Sequence, residues 1–323
     1  MQITRNRILG LIGLLFFIGY ALSVWWSNEP KPLEPEIYGT NDSEHVIGYA
    51  TTSALINTMD TLLTKPGGWL ANDVMPPSVM MDNMPAFEFG ALEQTRDLAL
   101  IMRKEFSRSQ SQSTADQDLL AAHSKLNISH TSWLVPSAEG EYKEAIKLLK
   151  LYRAKISDPQ NSQAQFYARA DNLNEWLKEV QKRLGSISQR LSASVGQDRL
   201  NTDLAGDSAA RQSTPGFASS EIKTSWWKVD DVFYESRGSA WALLNFMKAV
   251  EVDFADVLEK KNAEVSLRQI IRELEATQET VWSPMVLNGS GFGLVANHSL
   301  VMANYISRAN AAVIDLTNLL SQG

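Results

Sequence analysis

Residues 166–191, FYARADNLNEWLKEVQKRLGSISQRL, decide the fold. The apolar residues of this stretch recur at gaps that alternate between four and three positions, namely Phe166, Ala170, Leu173, Leu177, Val180, Leu184, Ile187 and Leu191. A repeat of about 3.5 residues sustained over this length predicts a long helix in left-handed, bundle-type or coiled-coil packing. We expect the partner helices to belong to the same chain, and pairing with a second chain is the alternative.

Further helices are predicted on both sides of this stretch. Helical spacing of apolar residues places them roughly at 46–63, 87–106, 138–157, 232–261, 263–282 and 294–320. Asn41 with Glu44 suits a capping arrangement before the first of them, and Ser137 can cap the third. No segment shows a convincing strand pattern, so the sequence predicts an all-α fold.

The N-terminal segment ILGLIGLLFFIGYALSVWW, residues 8–26, contains no charged residue. At about 1.5 Å per residue it spans the hydrocarbon core of roughly 30 Å, which predicts a transmembrane anchor. Arg5 and Arg7 precede it, so the positive-inside bias predicts that residues 1–7 are a cytoplasmic stub. The alternative is a cleaved signal peptide with a small-residue site at 21–23. The apolar run continues past that site, which favours the anchor.

The rest of the chain is predicted to lie in the periplasm as a multi-helix bundle with long helices. Residues 27–40 are rich in proline and predict an extended spacer that lifts the bundle off the membrane. Residues 41–195 form a first helical part, and residues 229–323 form a second part packed with the first. Residues 196–228, which are polar and rich in Ser, Gly and Asp, predict a flexible loop between them.

Composition excludes several classes of function. The formal charge of -7 and the pI near 5.3 argue against nucleic acid as a partner, because neutralising phosphates requires clustered Lys and Arg. The chain has no cysteine, which removes thiol catalysis, disulfides and Cys-ligated metals. Its four histidines are dispersed, at positions 45, 123, 130 and 298, so no metal site and no cofactor are predicted.

One stretch, DDVFYESRGSAWALL, offers a catalytic alternative. Glu235 is followed by Ser236, as at the Glu-Ser start found in lytic transglycosylases that act on cell-wall glycan, and a glutamate of raised pKa acts there as general acid. The sequence departs from that family beyond this point, and GSAWALLNFM has the small residues of a helix face that permits close packing. A structural salt bridge at Glu235 is therefore favoured over catalysis.

Two apolar segments are candidate partner or ligand surfaces. The segment GGWLANDVMPPSVMMDNMPAFEFG, residues 67–90, joins two helices and contains Met75, Met80, Met81 and Met84. Its methionines either fill gaps in the bundle as a packed wrap, which we favour, or stay exposed as an adaptable surface. Trp226 and Trp227 either pack beneath the preceding loop, which is again favoured, or stack on sugar rings.

Several stretches carry a family resemblance that covers nearly all of the chain after the anchor. They are NDVMPPSVMMDNMPAFEFG, SRSQSQST, AQFYARADNL, RLSASVGQ, DVFYESRGSAWALL, KNAEVSLRQIIRELEATQ and VWSPMVLNGSGFG. With them the chain resembles an uncharacterised proteobacterial family known as a domain of unknown function, DUF2333. The resemblance implies a bacterial inner-membrane setting and no established activity or functional residues.

These observations predict a bitopic inner-membrane protein that presents a periplasmic helical bundle as a structural or interaction module of the cell envelope. Envelope proteins or further copies of the chain are the expected partners, beside the membrane itself. A peptidoglycan-acting lytic enzyme with Glu235 as general acid is the alternative. A binder of an apolar ligand in a groove near Met80 and Met84 is a third possibility.

Overall fold

The computed structural model describes residues 2–38, 46–109, 115–160, 164–199, 220–283, 285–291 and 293–322. The predicted all-α class is confirmed. The helices are α1 Gln2–Trp26, α2 Tyr49–Thr64, α3 Asn83–Ile101, α4 Gln117–Leu126, α5 Ala138–Ser157, α6 Ala170–Ser192, α7 Val229–Asp253, α8 Ala255–Lys260, α9 Glu264–Ala276 and α10 His298–Ser321. Two short strands, β1 Gln197–Arg199 and β2 Ser220–Ile222, pair antiparallel.

The N-terminal helix α1 is set apart from the bundle by its composition. Its segment Asn6–Trp26 is the one described helix that is long and apolar enough to cross a membrane, and none of that span is buried by the protein. A signal sequence has the same length and composition. The structure thus confirms an apolar helix of bilayer length at the N-terminus.

Helices α2 to α10 form a bundle in which the two helical parts of the sequence share one core. Helix α3 packs along α7, α6 along α10, and α2 lies against both α5 and α7. Successive helices run in opposite directions when α4 is counted and α7 is taken together with α8, so their connections gather at two ends. We call the end at which α1 joins the bundle the anchor end, where the ring of Trp26 packs against Gly67. At the other, distal end, the rings of Phe106, Phe166 and Phe254 meet with centroids 5.1 to 5.9 Å apart.

Helices α3 and α7 touch backbone to backbone through two glycines. A Cβ added to Gly90 would lie 1.9 Å from the carbonyl oxygen of Glu235, and one added to Gly238 would lie 1.9 Å from the carbonyl oxygen of Phe87. The sequence GSAWALLNFM thus lines a close helix crossing, as its small residues predict. This contact brings the first turns of α7 against the Met-rich segment that leads into α3.

The 3.5-residue repeat belongs to α6, which packs on α10 within the same chain. Its residues Leu173, Leu177, Val180, Leu184, Ile187 and Leu191 are all buried. The helix begins at Ala170, so the predicted start at Phe166 is wrong. Residues 164–169 instead run irregularly into α6, and Phe166 packs against the distal aromatic rings and Gly48.

Other helix boundaries also differ from those predicted. The predicted helix at 232–261 is interrupted at Phe254, whose fully buried ring fills the distal cluster and separates α7 from α8. The helix predicted at 263–282 ends at Ala276, because residues 277–279 turn their carbonyls toward Arg237. Helix α4, capped by Asp116, was not predicted at all. Asn41 and Glu44 lie outside the described residues, as do residues 200–219 of the predicted loop.

The Pro-rich spacer does not lift the bundle away, and that prediction is wrong. Its described residues, 27–38, lie along the bundle as a strap. The strap follows α7, where Glu29 pairs with Arg237 at 2.5 Å and the backbone N–H of Leu33 donates to Asn245 Oδ1 at 2.9 Å. It then reaches α5, where Arg153 donates to Glu36 at 3.1 Å. Since these contacts satisfy the extended backbone, the spacer folds onto the bundle.

Candidate functional site

The anchor end carries an unusual set of exposed apolar side chains. The described residues of four connections meet there, namely 65–82, 127–137, 193–199 with 220–228, and 277–283 with 285–291 and 293–297. We define the apolar rim as the exposed large apolar residues of these connections: Val74, Met75, Val79, Met80, Trp133, Leu134, Val135, Trp226, Trp227, Trp282, Met285, Leu294 and Val295. The rim is the candidate functional site, because exposed apolar side chains gathered in one place mark interaction surfaces.

The first of these connections is held from below by a buried carboxylate. Glu88 of α3 is fully buried and lies 2.7 Å from the ammonium of Lys65. Its two oxygens also accept from the backbone N–H groups of Leu70 and Ala71 at 2.8 to 3.0 Å. Burial raises the pKa of Glu88 to about 6, against the opposing effects of Lys65 and these N–H donors. The base of the Met-rich segment is therefore fixed in place.

Two side chains tie the same base to the neighbouring connection. Trp69 is fully buried and donates from Nε1 to the carbonyl of His130 at 3.0 Å. Asn72 donates from Nδ2 to the carbonyl of Ser132, also at 3.0 Å. These bonds hold the tip at residues 133–135 beside the Met-rich segment.

The Met-rich segment divides between burial and exposure, so the favoured reading as a packed wrap holds for only half of its methionines. Met84, in the first turn of α3, is buried, and Met81 packs against the core with partial exposure. Met75 and Met80 face solvent, Met80 with 79% of its surface exposed. The exposed tip contains Pro76, Pro77 and the 3₁₀ turn Ser78–Met80. Its base is held by the bonds of Leu70 and Ala71 to Glu88.

The paired tryptophans are exposed, and the prediction that they pack beneath the preceding loop is wrong. Trp227 has 83% of its surface exposed, and Trp226 is also exposed. They form a single 3₁₀ turn just before α7, too short to turn both indoles inward. The structure brings them close to the end of the Met-rich segment, because Asp82, Trp226, Trp227 and Met285 line one cavity of about 280 Å³.

A larger cavity, of about 400 Å³, also opens at the anchor end, between α7, α10 and the 277–297 connection. Its wall is mainly apolar and includes Phe233, Trp282, Val301 and Met302. The histidine at this wall, His298, accepts at Nδ1 from the backbone N–H of Leu287 at 3.1 Å. Such a cavity accommodates apolar groups.

Arg237 forms the charged part of the same wall and is fully engaged. It donates to the Glu29 carboxylate of the strap. Its remaining donors are directed to three successive backbone carbonyls, those of Thr277, Gln278 and Glu279, at 2.8 to 3.1 Å. The guanidinium thereby joins the residues that follow α1 to the connection that carries Trp282.

Glu235 forms a bidentate ion pair with Arg190 of α6. The two guanidinium nitrogens of Arg190 donate to the two carboxylate oxygens at 2.6 and 2.7 Å. The pair is partly exposed, and Glu235 is not part of the 400 Å³ cavity wall. Both oxygens are therefore occupied by a structural partner, which is the arrangement that the sequence favours over catalysis.

Part of the rim was missed from sequence. Trp133, Leu134 and Val135 lie between two predicted helices and were not singled out, whereas Trp282 and Leu294 were placed at the ends of predicted helices. Among the described residues, no group of three or more His, Cys, Asp or Glu side chains is placed to hold a metal ion. The candidate site is thus a surface of indole, thioether and aliphatic groups, which suits the binding of apolar partners.

Comparison with known proteins gives one family relationship. No curated protein and no solved structure matches the chain. A family model described as an uncharacterized protein conserved in bacteria matches residues 2–323, which includes α1, the bundle and every element of the rim. The chain therefore belongs to the bacterial family DUF2333.

Proposed function

We propose that this protein is a single-pass protein of the bacterial inner membrane whose periplasmic bundle is a structural or interaction module of the cell envelope. Helix α1 is the anchor, with the basic residues Arg5 and Arg7 on the cytoplasmic side. After α1, the strap contains only one basic residue, Lys31, beside Glu29, Glu34 and Glu36. Few basic residues are expected in a segment that crosses the membrane.

The strap is the observation that carries this proposal. A tethered catalytic domain needs no fixed orientation toward its anchor, whereas the strap bonds the bundle at both its anchor end and its distal half. Glu29 is bonded to α7 near α1, and Glu36 receives hydrogen bonds from Tyr49, Asn57 and Arg153 further along the bundle. A rigid body held in one orientation on a membrane presents the same faces to every partner, as an assembly module requires.

Enzymatic cleavage of glycan is the weaker alternative. A general acid must offer its proton to the leaving group from a cleft. Here Arg190 occupies both oxygens of Glu235. We therefore place the function in binding and assembly.

Two measurements in cells test the proposal. The first uses alkaline phosphatase and a fluorescent protein fused in turn to the C-terminus. We expect activity from the phosphatase, which folds in the periplasm, and no fluorescence from a reporter that matures only in the cytoplasm. The opposite pattern contradicts the proposed topology.

The second measurement uses a photo-crosslinking amino acid on the sides of the bundle. Leu120 of α4 and Leu151 of α5 are exposed apolar positions outside the rim. Irradiation of intact cells should give discrete adducts, either with another envelope protein or with a second copy of the chain. Lys150, the charged neighbour of Leu151 on α5, is the matched control position. If irradiation gives no adduct from any of these positions, the result contradicts a role in assembly.

A further inference from the structure

We propose that the apolar rim lies in the interfacial layer of the same bilayer that holds α1. The bundle would then rest on the lipid surface through its four anchor-end connections. This inference rests on the proposed function in one respect, namely that α1 is a membrane anchor. It adds a second contact with lipid that the anchor alone does not require.

The first observation is the asymmetry between the two ends of the bundle. All four connections at the anchor end expose large apolar side chains, with Val135 at 99% and Trp282 at 93% exposure. Toward the distal end, the described residues of the segment before α2 expose only Ile37, Tyr38 and Ile47, at 41 to 55%, and the described residues of 107–109, 115–116, 158–160, 164–169 and 254–263 include no large exposed apolar residue. A water-exposed bundle has no reason to concentrate such residues at one end.

The second observation is the position of the rim around the exit of α1. The Met-rich segment touches the end of α1, because Gly67 packs against Trp26. On another side, Trp282 shares a cavity wall with Arg237, which pairs with Glu29 three residues after α1 ends. A bilayer that encloses α1 therefore lies directly beside these two connections.

The third observation is the chemistry of the rim. Four of the nine tryptophans of the chain belong to it, namely Trp133, Trp226, Trp227 and Trp282, and Trp25 at the end of α1 is also exposed. Indole rings prefer the boundary between lipid and water, where the ring is covered and the N–H stays hydrated. Methionine and valine at the tips supply flexible apolar groups that suit the same layer.

The supports beneath the tips explain why the rim does not collapse into the core. Glu88 and Lys65 fix the base of the Met-rich segment, and Trp69 and Asn72 bind the 127–137 connection to it. The exposed tips are therefore held outward by buried hydrogen bonds. Their exposure is built into the fold.

Lipid fits this surface better than a protein partner does. A protein would have to reach a face that α1 holds against the bilayer. The charges beside the rim are mainly acidic, including Asp73, Asp82, Asp230 and Asp231, so anionic headgroups have no basic cluster to bind. The contact is apolar, so it should not require anionic lipid or low salt.

The test uses the full chain in nanodiscs of phosphatidylcholine, with and without phosphatidylglycerol. Because the chain has no cysteine, single cysteines can be labelled cleanly with a small fluorophore. The rim variants are Met80→Cys and Val135→Cys. Val265→Cys, exposed at the start of α9 near the distal end, is the matched control, and Trp25→Cys reports on α1 itself.

We expect nitroxide lipids labelled near the headgroup to quench the two rim labels several-fold more strongly than the control label. Iodide in the water phase should quench the rim labels less than the control, equally in both lipid mixtures. Rim labels that behave like the Val265→Cys label overturn the proposal. Rim labels protected only at high protein concentration, with crosslinks between copies, also overturn it and indicate a protein interface.

The label at Trp25→Cys separates the two possible failures. If lipid quenches that label and spares the rim, the anchor is correct and the rim proposal alone fails. If lipid spares the label at Trp25→Cys too, the membrane anchor itself is wrong. Circular dichroism of each labelled variant shows that the helical fold is kept.

Discussion

Gly238 of α7 lies directly against Phe87 of α3, so that a methyl group at Gly238 would come within 1.9 Å of the Phe87 carbonyl oxygen. Such a contact requires the two helices to move apart, because backbone atoms on both sides cannot rotate away. The crossing also positions the Met-rich segment relative to Trp226 and Trp227. The geometry of the rim therefore depends on Gly90 and Gly238, which have no side chain at this crossing.

We predict that Gly238→Ala destabilises the protein by about 1–3 kcal/mol or more, since overpacking forces the surrounding helices apart. Gly185→Ala is the matched control. Gly185 lies within α6, where an added Cβ would meet its nearest neighbour, Asn310, only at 4.0 Å. Alanine there should be neutral or stabilising by up to about 1 kcal/mol through helix propensity. Urea unfolding followed by circular dichroism measures both, and equal effects would contradict the close crossing.

The buried pair of Lys65 and Glu88 gives a second prediction. Lys65→Met removes the cation and leaves a buried carboxylate without its counter-charge. We expect a loss of about 3–5 kcal/mol in the free energy of unfolding at neutral pH, as for other broken buried pairs. Addition of Glu88→Gln to Lys65→Met should restore part of the loss. A double variant less stable than Lys65→Met would show that the carboxylate acts mainly through the N–H groups of Leu70 and Ala71.

The raised pKa of Glu88 predicts a pH dependence with a definite sign. The pKa of the folded carboxyl is about 6, whereas the ordinary pKa of a glutamate is 4.5. Folding therefore takes up a proton between these values, and the contribution of Glu88 to the free energy of unfolding falls as pH rises through this window. The change is about 2 kcal/mol, at roughly 1.36 kcal/mol for each pKa unit.

The comparison with Glu88→Gln isolates this contribution. As pH rises from acid to neutral, the unfolding free energy of the wild-type protein should fall relative to that of Glu88→Gln. Urea unfolding of both proteins on each side of the window measures the shift. A shift in the opposite direction would mean that Lys65 and the N–H donors outweigh the burial of Glu88.

A fourth prediction concerns the strap. Asn245→Ala removes the acceptor of the Leu33 N–H, which should lose protection against hydrogen exchange. The amides within α7 should keep theirs, because Asn245 uses its side chain and not its backbone for this contact. Lys261→Ala, a change at the distal end, is the control and should leave Leu33 protected. Unchanged exchange at Leu33 in Asn245→Ala would contradict a bonded strap.

The fifth prediction tests the catalytic alternative at Glu235. The full chain in detergent micelles should release no soluble fragments from purified peptidoglycan, and Glu235→Gln should behave identically. Because the ion pair with Arg190 is partly exposed, the substitution should change stability by only about 1 kcal/mol or less. Release by the wild-type chain that is lost in Glu235→Gln would restore the enzymatic reading.

The helical class and the long helices could be predicted because their periodic apolar residues are the buried ones. The α6 repeat and the Ser137 cap of α5 show this, since the hydroxyl of Ser137 accepts from the N–H of Gly140. Helix α4 was missed because it is short and buries only Leu119, Ala122 and Leu126. Its N-terminal Asp116, which accepts from two N–H groups, was the available signal.

The rim could not be predicted from local pattern, because exposure depends on which end of the bundle a connection reaches. Apolar composition alone favoured burial of Trp226 and Met80, and the structure exposes both. Predicting the rim would have required the direction of each helix, which decides the end of the bundle that each connection reaches. Counting helices along the chain places every second connection at the same end, provided that α4 is included and that α7 and α8 count as one helix.

The strap relates the end of α1 to the length of the bundle, because it follows α7. Because the chain after α1 is bonded along α7, the strap does not act as a free tether between α1 and the bundle. Helix α7 has 25 residues, so at about 1.5 Å per residue the distal aromatic rings stand roughly 38 Å from the anchor end. With α1 as the proposed membrane anchor, the bundle would extend about this far from the membrane surface. A partner protein would then contact it within this distance of the bilayer.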